Sequence, residues 1–211
     1  MKDKFSVSIK GIIYQNGSYL LRKNQRHEYE LIGGRFDPSD LCPEDRVALE
    51  FKEEAGAIID VINLRDPWLY IIAQKNIIIL PYLCELKSID KDHEDLDGGI
   101  IKWIPREDLS SVFIPRGYID SINNTIPHKS FSQTEGEFFK IIPNYRETDY
   151  YISINVMSLD GSIIMDEFLT HNHSPIEVIE NHFDICYDGN FYPLSVTKKD
   201  DTVYLNYVKL G

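Results

Sequence analysis

The chain has 211 residues, 43% hydrophobic and 27% charged, a composition that excludes a disordered, collagenous or membrane-embedded polypeptide. Its formal net charge of -12, from 22 Lys+Arg against 34 Asp+Glu, sets the overall field against nucleic acid and anionic lipid as partners. Cys42, Cys84 and Cys186 form neither a disulfide framework nor a metal-binding pair, and the amino terminus lacks the apolar core of a secretory signal, so a cytoplasmic, soluble protein is expected.

Phe5 to Tyr14 is β-branched and aromatic, and Gln15-Asn16-Gly17-Ser18 supplies hairpin turn chemistry before Tyr19 to Lys23. A third strand, Tyr29 to Ile32, runs into Gly33-Gly34, where paired glycines allow a backbone course that side chains block. Pro43 at a first helical position, Glu44 and Asp45 beside it and Gly56 as a stop predict a helix over 43–55. Strands are expected at Ala57 to Leu64, Trp68 to Ala73 and Asn76 to Leu86, then an acidic loop from Ser88 to Gly99. A short strand, Ile100 to Trp103, and helical pieces near Arg106 to Ser110 and Gly117 to Asn123 complete a first unit. The polar stretch Thr125 to Glu135, with Pro127, marks a boundary between domains at 1–130 and 131–211. The second unit reads as small α+β. Its strands fall at Phe138 to Ile142, Tyr150 to Val156, Ser162 to Met165, Phe191 to Thr197 and Thr202 to Lys209, with Asp160-Gly161 as a hairpin turn. Ser174, Pro175 and Glu177 form a capping-box signature for a helix reaching about Asn181. His171-Asn172-His173 reads as the loop before that helix.

The chemistry concentrates on the helix at 43–55. At about 100° per residue, Val47, Ala48, Phe51 and Ala55 share one arc, and Glu50, Glu53 and Glu54 share an adjacent one. Like charges one turn apart repel, so the face is either a solvated acidic surface or a site for something positive. A hard divalent cation suits it, because Mg²⁺ takes oxygen ligands and is shared between carboxylates and substrate phosphates.

Gly34, five residues, Asp40, and then Glu50-Phe51-Lys52-Glu53-Glu54-Ala55-Gly56-Ala57 resemble the Nudix box, G-x5-E-x7-R-E-U-x-E-E-x-G-U with U bulky and aliphatic. Trp103-Ile104-Pro105-Arg106-Glu107-Asp108-Leu109 looks like that family's tail. The resemblance implies an α/β (α+β) fold, a mixed β-sheet sandwiched by helices. It also implies hydrolysis of the pyrophosphate linkage of a nucleoside diphosphate joined to another moiety. By the same resemblance, Glu50, Glu53, Glu54 and the Gly34 carbonyl would hold Mg²⁺ or Mn²⁺, with those glutamates as the catalytic set; Glu94, Asp95 or Asp97 could supply a further acid, against the reading of Ser88 to Asp97 as a solvated surface loop. The partner implied is a nucleotide-derived small molecule, with the second unit serving self-association as a homodimer or shaping the pocket.

Three departures stand out. Asp40 replaces a glutamate, its spacing to residue 49 is one longer than the pattern, and Leu49 stands where the family places an arginine. Arg46, one turn earlier and within the carboxylate arc, is the candidate to replace that brace, with plain solvent exposure as the alternative. Arg22 and Arg35 are candidate phosphate contacts, with surface salt bridges as the other reading, and Tyr29 and Tyr82 are candidate stacking surfaces for a base. A regulatory module that binds a nucleotide without hydrolysing it is the alternative function. Cys42 at the helix start reads as inert, with a pKa lowered by the helix dipole as the alternative.

Overall fold

The structure, a computed structural model, describes residues 3–72, 75–90, 92–95, 97–126, 129–131, 149–186 and 189–210. The first part contains β1 (Lys4–Gln15), β2 (Ser18–Lys23), β3 (Tyr29–Leu31), α1 (Pro43–Ala55), β4 (Ala57–Leu64), β5 (Trp68–Ile72), β6 (Lys75–Ile89) and β7 (Ile100–Pro105). A 3₁₀ turn (Arg106–Ser111), α2 (Arg116–Asn123) and β8 (Lys129–Phe131) follow. The remainder holds β9 (Tyr150–Met157), β10 (Ile163–Phe168), α3 (Pro175–Phe183), β11 (Phe191–Lys199) and β12 (Thr202–Lys209). The expected α+β class holds, with a large mixed sheet and few helices. No helix among the described residues is long and apolar enough to cross a membrane.

β1 organises the sheet. It runs parallel to β6 from Ser6↔Ile77 to Ile13↔Cys84, turns antiparallel into β2 at Tyr14↔Tyr19, and pairs with β9 at Phe5↔Tyr150. β2 then carries β3 and β7 on its two edges. Adjacent residues on these strands point to opposite faces, and the packing divides accordingly. Leu20 and Ile78 join one cluster with Val47 and Phe51 of α1. Leu21 and Ile79 join another with Trp68, Tyr70 and Tyr118, closed by α2 and the 3₁₀ turn. Trp68 meets Tyr118 edge-on, ring centroids 5.2 Å apart. Helices therefore cover both faces, α1 and α3 contributing to the first cluster and α2 to the second.

The strands after residue 149 continue the same sheet, β12 lying parallel to β9 and antiparallel to β11. Ile152, Ile154, Val203 and Tyr207 belong to the same apolar cluster as Phe5 and Phe51. The capping box at Ser174 forms with both of its reciprocal hydrogen bonds, and Asp160-Gly161 turns β9 into β10. One reading is corrected: residues 129–131, placed in the boundary stretch, form β8, parallel to β5 at Leu69↔Lys129. Three residues carry too little alternation to announce a strand, and only the edge of β5 recruits them. The strand expected at Phe138 to Ile142 lies outside the described residues.

Phe51 is fully buried, whereas Leu49, two residues away, is 40% exposed. Phe51→Ala is expected to cost about 3–5 kcal/mol and Leu49→Ala less than about 0.5 kcal/mol in urea denaturation. Equal losses would mean that α1 does not seat as described.

Candidate active site

Pro43 at the first turn and Gly56 in the left-handed conformation at the end delimit α1, which presents Glu50 and Glu54 toward the Gly33-Gly34 loop. Gly33 has φ 140°, and a Cβ there would lie 2.1 Å from the Ile9 carbonyl oxygen. A Cβ on Gly34 would lie 2.0 Å from Glu50 Oε1. Neither position has room for a side chain, so the loop is pressed between β1 and the acidic helix.

Each buried carboxylate has an internal cation. Arg46 pairs with Glu50 one helical turn on, and its Nε lies 4.0 Å from Asp40 Oδ2. Arg46 is thus paired with the first glutamate of the acidic face rather than pointing to solvent. Glu54 accepts a hydrogen bond from the Gly33 N–H at 3.1 Å, and its Oε1 lies 3.2 Å from Arg22 Nε. Arg22 also donates to Asp95 at 2.7 Å and reaches Glu30 at 3.3 Å. Lys10, which no sequence signal singled out, is buried, donates to the Gly33 carbonyl at 2.6 Å and lies 3.6 Å from Glu30. Glu53 is exposed, and its backbone carbonyl is 2.8 Å from His93 Nε2.

Beside them lies a cleft of ≈ 370 Å³ lined by Arg46, Glu50, Glu53, Glu54, His93, Asp95 and Asp97. His93 was missed because it stands alone in the acidic loop, and only the fold returns that loop to the end of α1. Of the acids in that loop, Asp95 is tied to Arg22 and accepts the N–H groups of Asp97 and Gly99. It acts as a staple, whereas Asp97 is exposed on the cleft.

Several expected contacts fall elsewhere. Tyr82 is 1% exposed in the core beneath α1, and burial raises its phenol pKa, which removes it from any substrate surface. Tyr29 is 8% exposed, packed in the cluster on the α2 face. Arg22 is engaged by three carboxylates rather than held out for phosphate, and Arg35 is exposed, bridged to Ser8. The Gly34 carbonyl accepts from Ile9 N–H at 2.8 Å and Ser8 Oγ at 3.2 Å. Both lone pairs are thereby used, and it is not a ready cation ligand. Burial pushes the Cys42 thiol up, which agrees with an inert cysteine rather than one activated by the helix dipole.

The carboxylate oxygens of Glu50, Glu53, Glu54 and Asp97 suit a hard divalent cation, although the Arg46 guanidinium and the His93 ring share the cleft, and the missing side chain at Gly34 leaves room for the Glu50 carboxylate. Among the described residues, no three His, Cys, Asp or Glu groups already converge in a metal-binding arrangement. In the structure the neutralising charge comes from Arg46 and Arg22.

Burial pushes the Glu54 carboxyl from 4.5 up to about 7, with Lys10 and Arg22 opposing the rise and Glu50 adding to it. In metal-free protein the native state therefore binds more protons than the unfolded chain between those values, so this group favours folding more as pH falls from about 7 toward 4.5. Relative to Glu54→Gln, the wild type should gain on the order of 2–3 kcal/mol between about pH 8 and about pH 5, read from urea denaturation in EDTA. Parallel profiles would show that Glu54 ionises normally.

No protein-family model matches the sequence, and a search of curated proteins finds no match. Solved structures do match. A NUDIX hydrolase from Nitrosomonas europaea superposes with a TM-score of 0.52 at 16% identity, covering 57% of this chain and 87% of that one. A UDP-X diphosphatase superposes with a TM-score of 0.50 at 14% identity, covering 59% of this chain and 62% of that one. With a mixed sheet between helices and a paired-glycine loop pressed on an acidic helix, the chain has the Nudix fold.

Proposed function

We propose that the protein is a divalent-metal-dependent hydrolase of the pyrophosphate linkage in a nucleoside diphosphate derivative. The observation that carries this reading is that Glu50, Glu53, Glu54 and Asp97 line one cleft, with Glu50 against Gly34. The name of the UDP-X diphosphatase whose fold it shares agrees with a diphosphate substrate. Glu50, Glu53 and Glu54 would hold Mg²⁺ or Mn²⁺. When bound, such an ion supplies charge neutralisation for phosphate oxygens, which otherwise repel an incoming nucleophile. The chain's own contribution is orientation. Arg46 fixes Glu50, Gly33 N–H and Arg22 fix Glu54, and Asp97 is exposed on the cleft to accept a proton.

A second cleft of ≈ 610 Å³ shares His93 and Asp95 with the acidic one and is lined by Leu20, Ile100, Lys102 and Trp103. We assign it to the non-phosphate part of the substrate, with Trp103, 37% exposed, as the ring available for stacking in place of Tyr82. A nucleotide-binding module without hydrolysis is the second reading, favoured by the ion pairs that already occupy Glu50 and Glu54.

The test is incubation with Mg²⁺ or Mn²⁺ and a panel of ADP-ribose, dinucleoside polyphosphates and nucleotide sugars. Turnover releasing a nucleoside monophosphate is expected, and Glu53→Gln or Glu54→Gln should lower kcat by at least about 100-fold. Binding without turnover for every compound selects the second reading. Arg46→Ala should weaken Mn²⁺ affinity by about 10–100-fold, read by electron paramagnetic resonance. Unchanged affinity together with unchanged turnover would leave Arg46 as a surface ion pair only.

A further inference from the structure

The loop between Gly34 and α1 is held from outside its own half of the chain. Lys198, on β11, directs its ammonium at three backbone carbonyls of this loop: Asp37 at 3.4 Å, Pro38 at 2.7 Å and Asp40 at 2.5 Å. The same ammonium lies 4.9 Å from the centroid of the Phe36 ring. Phe36 is 2% exposed, packs against Tyr150 of β9 at 5.8 Å between centroids, and accepts the Tyr150 hydroxyl on its carbonyl at 3.2 Å. Three converging carbonyl dipoles form the kind of pocket that binds a small cation, and here the chain supplies its own, half-buried on a long stem.

The contacts continue inward without a break. The Asp40 carboxylate accepts the Asp37 N–H at 2.7 Å and lies 4.0 Å from Arg46 Nε, and Arg46 pairs with Glu50. A cation on β11 thus fixes the carbonyls around Asp40, Asp40 faces the arginine, and the arginine holds the first glutamate of the acidic face. Such a chain of packed charged groups is a physical route for positioning, and it is needed here because the loop is otherwise exposed from Asp37 to Ser39.

We propose that Lys198 is a positioning residue, and that the strands after residue 149 serve to clamp the glycine-to-helix loop and through it set Glu50. Its consequence for metal binding rests on the hydrolase reading above, whereas the clamp itself does not.

The two are separated by measuring amide hydrogen exchange on the full-length, metal-free protein, followed by Mn²⁺ titration. The reporters are the amides of Phe36, Asp37, Ser39 and Asp40, which donate to Val7, Asp40, Asp37 and Asp37 respectively. Lys198→Met keeps the stem and removes the charge. It should speed exchange of these amides at least about tenfold, a local opening, while α1 and β1 exchange as in the wild type. Lys198→Arg should restore most of the protection. Lys4→Ala breaks a different ion pair between β1 and the β11–β12 turn, to Asp201 at 3.1 Å, and should leave the loop unaffected. Unchanged exchange in Lys198→Met, or a rise spread equally over α1 and the loop, overturns the clamp. Where the wild type binds Mn²⁺, Lys198→Met should weaken it at least about threefold, and undiminished affinity overturns the positioning of Glu50. A wild type that binds no Mn²⁺ refutes the metal reading, and the exchange result alone then decides the clamp.

Discussion

The constraint on which this structure turns is charge compensation at an acidic helix that is half buried. Glu50 and Glu54 are 6% and 8% exposed, and a carboxylate at that depth persists only if cations or hydrogen-bond donors face it. The fold brings these from separate places: Arg46 from the same helix, Arg22 from β2, Lys10 from β1 and the Gly33 amide from the loop. Pairs of this kind add little net stability, because desolvation offsets most of the attraction. Their effect is to fix where the carboxylates point.

That arrangement makes the acidic face adaptable. Two of its three glutamates already have cationic partners, so a divalent ion arriving with a phosphate would enter an electrostatic balance rather than an unopposed negative patch. Arg22 sits at the hub, shared among Glu30, Glu54 and Asp95, and ties the acidic loop at 90–99 to the helix. The same hub links the pKa of Glu54 to the position of that loop, since both depend on where the guanidinium lies.

The strands after residue 149 extend the sheet and its apolar cluster across what composition marks as a boundary. Their clearest contact with the site is made by Lys198 and Tyr150 on the loop that opens into α1. A loop rich in Asp, Pro and Ser has little apolar surface with which to order itself, and a neighbouring strand supplies the order instead.

Much was legible in the residues alone, because local rules govern those features. The helix at 43–55 and the strand at 57–64 follow from a first-turn proline, a glycine stop and β-branched residues, and the structure has the same bounds. The acidic face follows from helical periodicity, and the Arg46–Glu50 pair from the spacing of one turn. What sequence could not decide were contacts between residues far apart in the chain. Lys10, His93 and Lys198 carry no local signature, and Tyr82 looks like any surface tyrosine until β6 is placed between β1 and β5. The periodicity of a helix or strand is written in neighbouring residues. Which cation meets which carboxylate is settled only when the sheet register brings them within a few ångströms, and that depends on the whole chain at once.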